Sequence, residues 1–264
     1  MAAIALMKTQ LIKAYRIIAT GSAFALFSAG GLALSVIIFS IQRLIYRDTN
    51  KRNQAARTAV HYSFKFFVGY MRLVGILRLD VDKLDAIKQA KGQLIIANHP
   101  SLIDVVVLIS IVRHADCVVK ADLWKNPFLK GVVKATGYIN NDAEPDYFLG
   151  QCKKSFASGN NLIVFPEGTR SIPGKPWHFK RGAGNIALRT QVNILPILID
   201  VNPITLTKGQ KWYQVTDRRF TFKMRVLPPY LIAPYIQDDQ ITNSVRKLTR
   251  DLQAYLSEEK LKYE

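Results

Sequence analysis

Short apolar runs alternate with longer amphipathic stretches over residues 81–264, and this alternation predicts a sheet covered by helices. Five runs have the length and composition of strands: Leu94 to Ala97, Asp116 to Lys120, Leu162 to Phe165, Ile194 to Val201 and Phe220 to Leu227. Helical periodicity falls at Ser101 to Val112, Pro127 to Thr136, Tyr147 to Ser158, Ala183 to Thr190 and Thr242 to Leu261. We therefore expect residues 81–264 to form one α/β domain.

The N-terminal pattern is different. Between Arg16 and Arg43, no charged residue occurs over 26 positions. At about 1.5 Å per residue, a helix of that length exceeds the roughly 30 Å hydrocarbon core of a bilayer. We therefore expect residues 1–80 to form membrane-anchoring helices. The basic residues around the segment predict that the following domain lies on the cytoplasmic face. Gly30-Gly31 leaves a re-entrant hairpin open as an alternative to a single span.

A second apolar stretch, Tyr62 to Leu79, follows a charged connector from Arg47 to Arg57. Its periodicity predicts an amphipathic helix on the membrane surface. One face carries His61, Lys65 and Arg72, and another carries Phe64, Phe67, Met71 and Val74. Packing of this helix on the protein core is the alternative, because periodicity does not distinguish lipid from protein.

The formal net charge of +18 indicates a partner with negative charge, either a nucleic acid or an anionic lipid surface. Because the chain has the apolar segment and no nucleic-acid-binding motif, we expect membrane lipids and no nucleic acid. Cys117 and Cys152 form no CxxC pair and have no histidine cluster near them, so the sequence supports neither a disulfide framework nor a metal site.

The candidate chemistry centres on His99, which follows the strand-like run Leu94 to Ala97 and precedes Asp104 by five residues. A histidine just before a helix and an aspartate in its first turns can meet, so the motif predicts a strand, a turn and a helix. The carboxylate would orient an imidazole that accepts a proton near neutral pH. The other histidines, His61, His114 and His178, are expected at surfaces or interfaces.

The chain has no GxSxG elbow and neither cysteine has local signs of activation, so the expected nucleophile is a hydroxyl of the substrate. A second polar group of residues, Phe165 to Ser171, follows another strand, so it is expected at the edge of the sheet where ligands bind. Gly168 frees the turn, and Arg170 offers donors to a phosphate or carboxylate. Glu167 is expected to accept from a hydroxyl or to hold Arg170.

The pair of motifs N-H-x-x-x-x-D and F-P-E-G-T-R-S resembles the glycerolipid acyltransferase family, which includes the 1-acylglycerol-3-phosphate acyltransferases. The resemblance runs from Leu94 to Ile199. It is supported by the stretches Lys120 to Gly131, Phe179 to Ala183 and Leu195 to Ile197. It implies a mixed sheet flanked by helices and preceded by N-terminal membrane helices. It also implies acyl transfer, from acyl-CoA or an acyl carrier protein, to the hydroxyl of a lysophospholipid, without a metal or another cofactor.

By this resemblance, His99 is the base, Asp104 is its partner, and Glu167 and Arg170 belong to the acceptor site. The full set of candidate substrate-binding residues is Asn98, Lys120, Glu167, Gly168, Thr169 and Arg170. Lys120 is a candidate for contacting the thioester oxygen or the phosphates of the donor. The basic, aromatic stretch from Lys208 to Arg225 is a candidate surface for anionic headgroups or an acidic carrier protein.

One departure from the family pattern concerns the acceptor. Ala143 stands where the family usually has an arginine that binds the acceptor phosphate. An acceptor without phosphate is therefore an alternative, unless Arg170, Lys175 or Lys180 supplies the missing charge. Two other functions remain open at this point: a thioesterase, which would use the same histidine on water, and a noncatalytic lipid-binding protein.

Overall fold

The computed structural model describes residues 2–126, 129–236 and 240–263, with side chains from residue 7 onward. The strands are β1 (Leu77–Asp82), β2 (Leu94–Ala97), β3 (Ala115–Val119), β4 (Ile139–Asn140), β5 (Asn161–Val164), β6 (Ile194–Asn202) and β7 (Phe220–Val226). The helices are α1 (Ala2–Ala33), α2 (Phe39–Ile45), α3 (Thr49–Leu73), α4 (Leu84–Gln89), α5 (Asp104–Ile111), α6 (Ala121–Lys125), α7 (Lys130–Thr136), α8 (Pro145–Ala157), α9 (Gly182–Thr190) and α10 (Ile241–Leu261).

The strands form one mixed sheet in the order β1-β7-β6-β2-β5-β3-β4. Its pairs are parallel except for the antiparallel pair of β6 with β7. The central strands β6, β2, β5 and β3 therefore run in one direction, and their carboxyl ends lie at the same edge. The loops that follow these four strands meet there, as is typical of ligand sites in α/β sheets.

The sheet is covered on both faces, and strand β2 shows why. Its side chains alternate, so Ile95 and Ala97 belong to the core under α3 and α5, while Leu94 and Ile96 face α8, α9 and α10. All four are fully buried. Strands buried on both faces appear as continuous apolar runs, which is why the sequence pattern located the central strands. The predicted α/β fold with a mixed sheet is confirmed.

The five predicted strands are present, each within about one residue of its expected ends. Among the described strands and α-helices, those that the pattern missed are the edge strands β1 and β4 and the short helices α4 and α6. Strand β1 has charged residues at alternate positions and β4 has two residues, so neither resembles a buried strand. The predicted helix from Pro127 begins at Lys130 among the described residues, and Pro127 itself lies outside them.

The N-terminal region is one long helical segment. Helix α1 continues through a π-helical turn at Leu34–Ile38 into α2, and residues 7–45 are long and apolar enough to cross a membrane. The chain remains helical at Gly30 and Gly31, so the predicted possibility of a hairpin break there is wrong. The π-helical turn packs against α7, where Gly131 approaches Ser35 so closely that a Cβ atom would collide with its side chain.

Helix α3 corrects the prediction for residues 47–79. The connector is helical from Thr49, because Asp48 caps the helix by accepting from the Lys51 N–H at 2.8 Å. The helix ends at Leu73, and residues 77–79 belong to β1, which crosses the predicted domain boundary at residue 80. The helix packs on the protein through Phe67, Val68 and Met71, so the core-packing alternative describes this face.

Two polar side chains hold α3 on the domain. Arg57 forms an ion pair of 2.8 Å with the buried Asp116 of β3 and donates to the Thr136 carbonyl at 2.9 Å. His61, which was expected at a surface or an interface, is buried between α3 and α5, with its Nδ1 atom 2.7 Å from the Ile109 carbonyl of α5. This histidine therefore links two helices, whereas His114 and His178 are exposed as expected.

Candidate active site

His99 lies in the turn between β2 and α5, as the motif predicted. Its Nδ1 atom is 2.7 Å from Oδ2 of Asp104, the first residue of α5. This contact uses one ring nitrogen, and His99 also lines two cavities. An imidazole whose Nδ1–H donates to a carboxylate carries an unprotonated Nε2, which can accept a proton. The geometry therefore suits general base chemistry, and the assignment of that role to His99 stays a prediction.

Asp104 is fully buried and strongly bonded. Besides the His99 contact, it accepts from the Ser101 backbone N–H at 2.8 Å and from the Ser101 hydroxyl. Burial raises the pKa of Asp104 above its ordinary value of 3.8, and the hydrogen bonds from His99 and Ser101 oppose that effect. Ser101 was not predicted as a site residue. Its position three residues before the aspartate, at the start of a helix, was the available signal.

Two neighbours fix the position of His99. The Phe165 ring stacks on the imidazole, with centroids 4.2 Å apart and planes inclined by 23°. The Asn98 side chain donates to the Ile199 carbonyl at 2.8 Å and accepts from the Ile199 N–H at 2.7 Å. Asn98 was predicted to bind substrate, but both polar atoms of its amide bond to the backbone of β6. This residue therefore holds the turn on the sheet.

Glu167 also supports the turn. Its Oε1 atom accepts from the His99 backbone N–H at 3.1 Å and from the Ser171 hydroxyl at 2.6 Å. The Ser171 N–H donates back to the His99 carbonyl at 2.7 Å. The expectation that Glu167 contacts Arg170 is wrong among the described residues, because Arg170 bonds elsewhere. Ser171 was quoted in the motif but given no role, and the structure joins it to both loops.

Arg170 reaches the loop after β6. Its Nη1 atom donates to the Leu206 and Thr207 carbonyls at 3.1 and 2.8 Å. The side chain still lines a cavity, together with Gly168 and Thr169. Gly168 has a φ of +66°, a conformation that favours glycine, and a Cβ atom there would press on Lys180. The predicted turn residue therefore makes room for a cation beside the site.

An apolar cavity of about 420 Å³ extends from His99 between the helices. Its walls come from α1, α3, α5 and the loop after β6. Typical members are Phe27, Phe67, Val106, Leu206 and Trp212. Such a volume and lining suit an alkyl chain.

A second cavity, of about 500 Å³, lies on the other side of His99 and is basic. The cations that line it are Lys120, Arg170, Lys180 and Lys208. Lys120 and Arg170 were predicted, and Lys180 was named only as a possible replacement. Lys208 follows β6 at the same edge of the sheet. Val105 and Leu123 line both cavities, so His99 stands where an apolar space and a basic space meet.

The cysteines and Ala143 fit this arrangement as follows. Cys117 lines the basic cavity, but burial raises the pKa of its thiol, so the reactive thiolate is suppressed. Burial also raises the pKa of Cys152 to about 12. Ala143 lies in the turn after β4, outside the described lining of the basic cavity. Lys175, named as a possible replacement for the missing arginine, is likewise outside that lining.

Comparison with known proteins agrees with this fold and site. A family model described as Acyltransferase matches residues 78–200. The chain is 30% identical to a 1-acyl-sn-glycerol-3-phosphate acyltransferase from Helicobacter pylori over 193 residues, which cover 70% of this chain and 78% of the relative. It is 25% identical to the mouse 1-acyl-sn-glycerol-3-phosphate acyltransferase alpha over 230 residues, covering 82% of this chain and 75% of the relative.

The fold also matches a solved structure. The 1-acyl-sn-glycerophosphate acyltransferase PlsC from Thermotoga maritima superposes with a TM-score of 0.61 at 19% identity, over 95% of this chain and 97% of that one. The protein is therefore an enzyme of the acyltransferase class. It belongs to the glycerolipid acyltransferase family, the one that the two sequence motifs indicated.

Proposed function

We propose that this acyltransferase moves a fatty acyl group from a thioester donor to the hydroxyl of a lysophospholipid of the 1-acylglycerol-3-phosphate type. The observation that carries the proposal is the position of His99. Its ring is bonded to Asp104 and lines both an apolar and a basic cavity. A lipid substrate has an apolar chain and a phosphate group, and each of these finds a matching space on either side of the base.

In the proposed reaction, His99 Nε2 takes the hydroxyl proton as the oxygen attacks the thioester carbonyl. The new C–O bond gives a tetrahedral intermediate, which collapses as the C–S bond breaks. The imidazolium returns its proton to the leaving thiolate, so the ring ends the cycle neutral. Asp104 keeps the tautomer and stabilises the imidazolium while it exists. No enzyme nucleophile, metal or other cofactor enters these steps.

The basic cavity is proposed to hold phosphate groups through Lys120, Lys180 and Lys208. Charge-assisted hydrogen bonds from such side chains favour phosphate strongly. Acyl-CoA and an acyl carrier protein both carry phosphate on the donor arm, and both remain candidates. Because Ala143 replaces the usual arginine, a lipid acceptor without phosphate is the second candidate for the acceptor.

The proposed location is the membrane, with the α/β domain on the cytoplasmic face. The apolar helical segment of residues 7–45 supports it, as do the exposed side chains of Ile18, Val36 and Leu44. Residues 7–45 would then supply the membrane anchor, and the α/β domain, which begins with β1, would follow α3. A cysteine introduced as Lys262→Cys would report the orientation. An impermeant thiol reagent should label it in inside-out vesicles and spare it in right-side-out vesicles, and the reverse pattern would contradict the proposal.

The central experiment measures thiol release from acyl-CoA and acyl carrier protein, with and without lysolipid acceptors of both kinds. We expect release to require an acceptor and the acylated lipid to appear in equal amount. His99→Ala should lower turnover by about 10² to 10⁴-fold. His178→Ala, which changes an exposed histidine, is the matched control and should keep full activity.

Each alternative predicts a different outcome. Equal thiol release without an acceptor would identify a thioesterase. Unchanged turnover in His99→Ala would remove the proposed base, and no turnover with any donor and acceptor would favour a noncatalytic lipid-binding protein. A clear preference for neutral over phosphate-bearing acceptors would assign the second candidate.

A further inference from the structure

Arg16 of α1 occupies an unusual position in the wall of the apolar cavity. It lines the same space as His99, together with side chains such as Phe24, Met71 and Phe220. Among the described residues of that wall, it is the one that carries a permanent charge. Its Nε atom is buried and has no hydrogen-bond partner within the described part of the chain. Since an unsatisfied cationic donor in an apolar setting is costly, this nitrogen calls for an anionic ligand.

The neighbouring residues fix Arg16 in this place. The Tyr15 hydroxyl donates to the Val74 carbonyl at 2.7 Å, and the Ser22 hydroxyl is 2.7 Å from that of Tyr70. These contacts tie the turns of α1 on either side of Arg16 to the end of α3. The arginine is therefore held against the domain, unlike the exposed Lys13 one turn earlier.

Arg16 also stands at the start of the uncharged stretch of α1. In a helix inserted in a membrane, basic residues at such a boundary lie at the level of the lipid headgroups. The apolar cavity at this point therefore has an arginine where a headgroup would be and an alkyl-sized space next to it. A single-chain lipid has this same arrangement of charge and chain.

We propose that Arg16 binds the anionic group, a phosphate or a carboxylate, of a single-chain lipid whose chain enters the apolar cavity. Arg16 lines the apolar cavity and lies outside the described lining of the basic cavity at Lys120, Lys180 and Lys208. The anion site at Arg16 is therefore separate from the one that the proposed function assigns to substrate phosphate. Helix α1 is then part of the binding site as well as an anchor.

Binding in the absence of any thioester donor tests the site apart from the reaction. The probes are dodecyl phosphate, dodecanoate and dodecanol, added to the full-length protein in a nonionic detergent. Trp212 lines the same cavity, so its fluorescence reports occupancy, and the signal should disappear in Trp212→Phe. We expect at least one of the two anionic probes to bind about tenfold more tightly than dodecanol.

Variants locate the effect. Arg16→Gln should remove the preference for the anionic probe, and Arg16→Lys should keep part of it. Lys13→Gln removes one charge from the same flank and should leave the preference unchanged. The comparison of dodecyl phosphate with dodecanoate tells a phosphate lipid from a fatty acid.

Several results would overturn the proposal. Equal affinity of the wild-type protein for all three probes would do so without any variant. So would an equal loss of preference in Lys13→Gln, which would point to the general surface charge. Failure of acyl transfer with the binding pattern intact would count against the proposed reaction and leave the Arg16 site standing.

Discussion

The loops after β2 and β5 carry the two sequence motifs, and they use their charged residues differently. In the first loop, the Asp104 carboxylate is hydrogen-bonded to the ring of His99, and the imidazole still lines both cavities. In the second, Glu167 supports the His99 backbone, and Arg170 bonds to two carbonyls of the loop after β6. Much of the second motif therefore supports the loop that carries the first motif.

The comparison also shows which residues supply the positive charge that faces a ligand. Lys180 and Lys208 line the basic cavity from outside the two motifs. A charged side chain that is already paired within the protein is less able to bind a ligand, whereas an exposed lysine at a cavity wall remains able to do so. The charged residues of the two motifs therefore need not be the ones that contact the substrate.

Among variants of these two loops, Asp104→Asn is expected to have the largest effect on activity. The amide would present an N–H to His99 Nδ1 and favour the wrong tautomer, so kcat should fall by about 10² to 10⁴-fold. Steady-state kinetics with acyl-CoA would measure it. Asp85→Asn, at an exposed position, is the control. Retained activity would show that the two side chains do not act as a unit.

The raised pKa of Asp104 adds a stability readout to the same variant. Because the folded-state pKa lies above the unfolded value, the native state binds the proton more tightly. The resulting stabilisation is present at low pH and is lost as the pH rises through the raised pKa. At neutral pH, Asp104→Asn should therefore leave the thermal midpoint unchanged or raise it.

A smaller effect on activity is expected at Glu167, and its variants test whether this residue supports the His99 backbone. Glu167→Ala removes the nearer of the two acceptors of the His99 N–H, at 3.1 Å, and leaves the Ser171 hydroxyl at 3.3 Å. The loss costs about 1 to 3 kcal/mol, and kcat should fall by about 10 to 100-fold. Glu167→Gln keeps an acceptor oxygen and should retain activity within a few-fold. If Gln proves as harmful as Ala, the carboxylate charge itself acts in the reaction, and the difference between the two loops is smaller than the structure suggests.

The smallest expected effect is that of Lys208→Gln. Loss of one cation from the basic cavity should raise KM for the phosphate-bearing substrate by about tenfold and leave kcat unchanged. Lys211→Gln lies in the same loop, outside the described lining of that cavity, and is the matched control. An equal change in both variants would indicate a general effect of surface charge.

Whether an element could be predicted from the sequence depends on the pattern of apolar and charged residues that it contains. The central strands were found because burial on both faces makes them continuous apolar runs, as β2 and β5 show. Edge strand β1 was missed because its exposed positions are charged, and the apolar run before it continued the helical pattern of α3. The backbone contacts of Asn98 were not predicted, because a polar residue beside a catalytic motif has the same appearance in the sequence whether it contacts a ligand or the backbone.

The sequence by itself determined the two-faced core, the strand-turn-helix at His99 and the partnership of His99 with Asp104, because these depend on local periodicity and short spacing. The tertiary structure decided which charges face the cavities. It brought Phe165, Ser171 and Lys208 to His99 from distant segments, and it placed Arg16 of α1 in the apolar wall. Such contacts depend on the order of strands in the sheet and on helix packing, and neither leaves a mark in the spacing of residues along the chain.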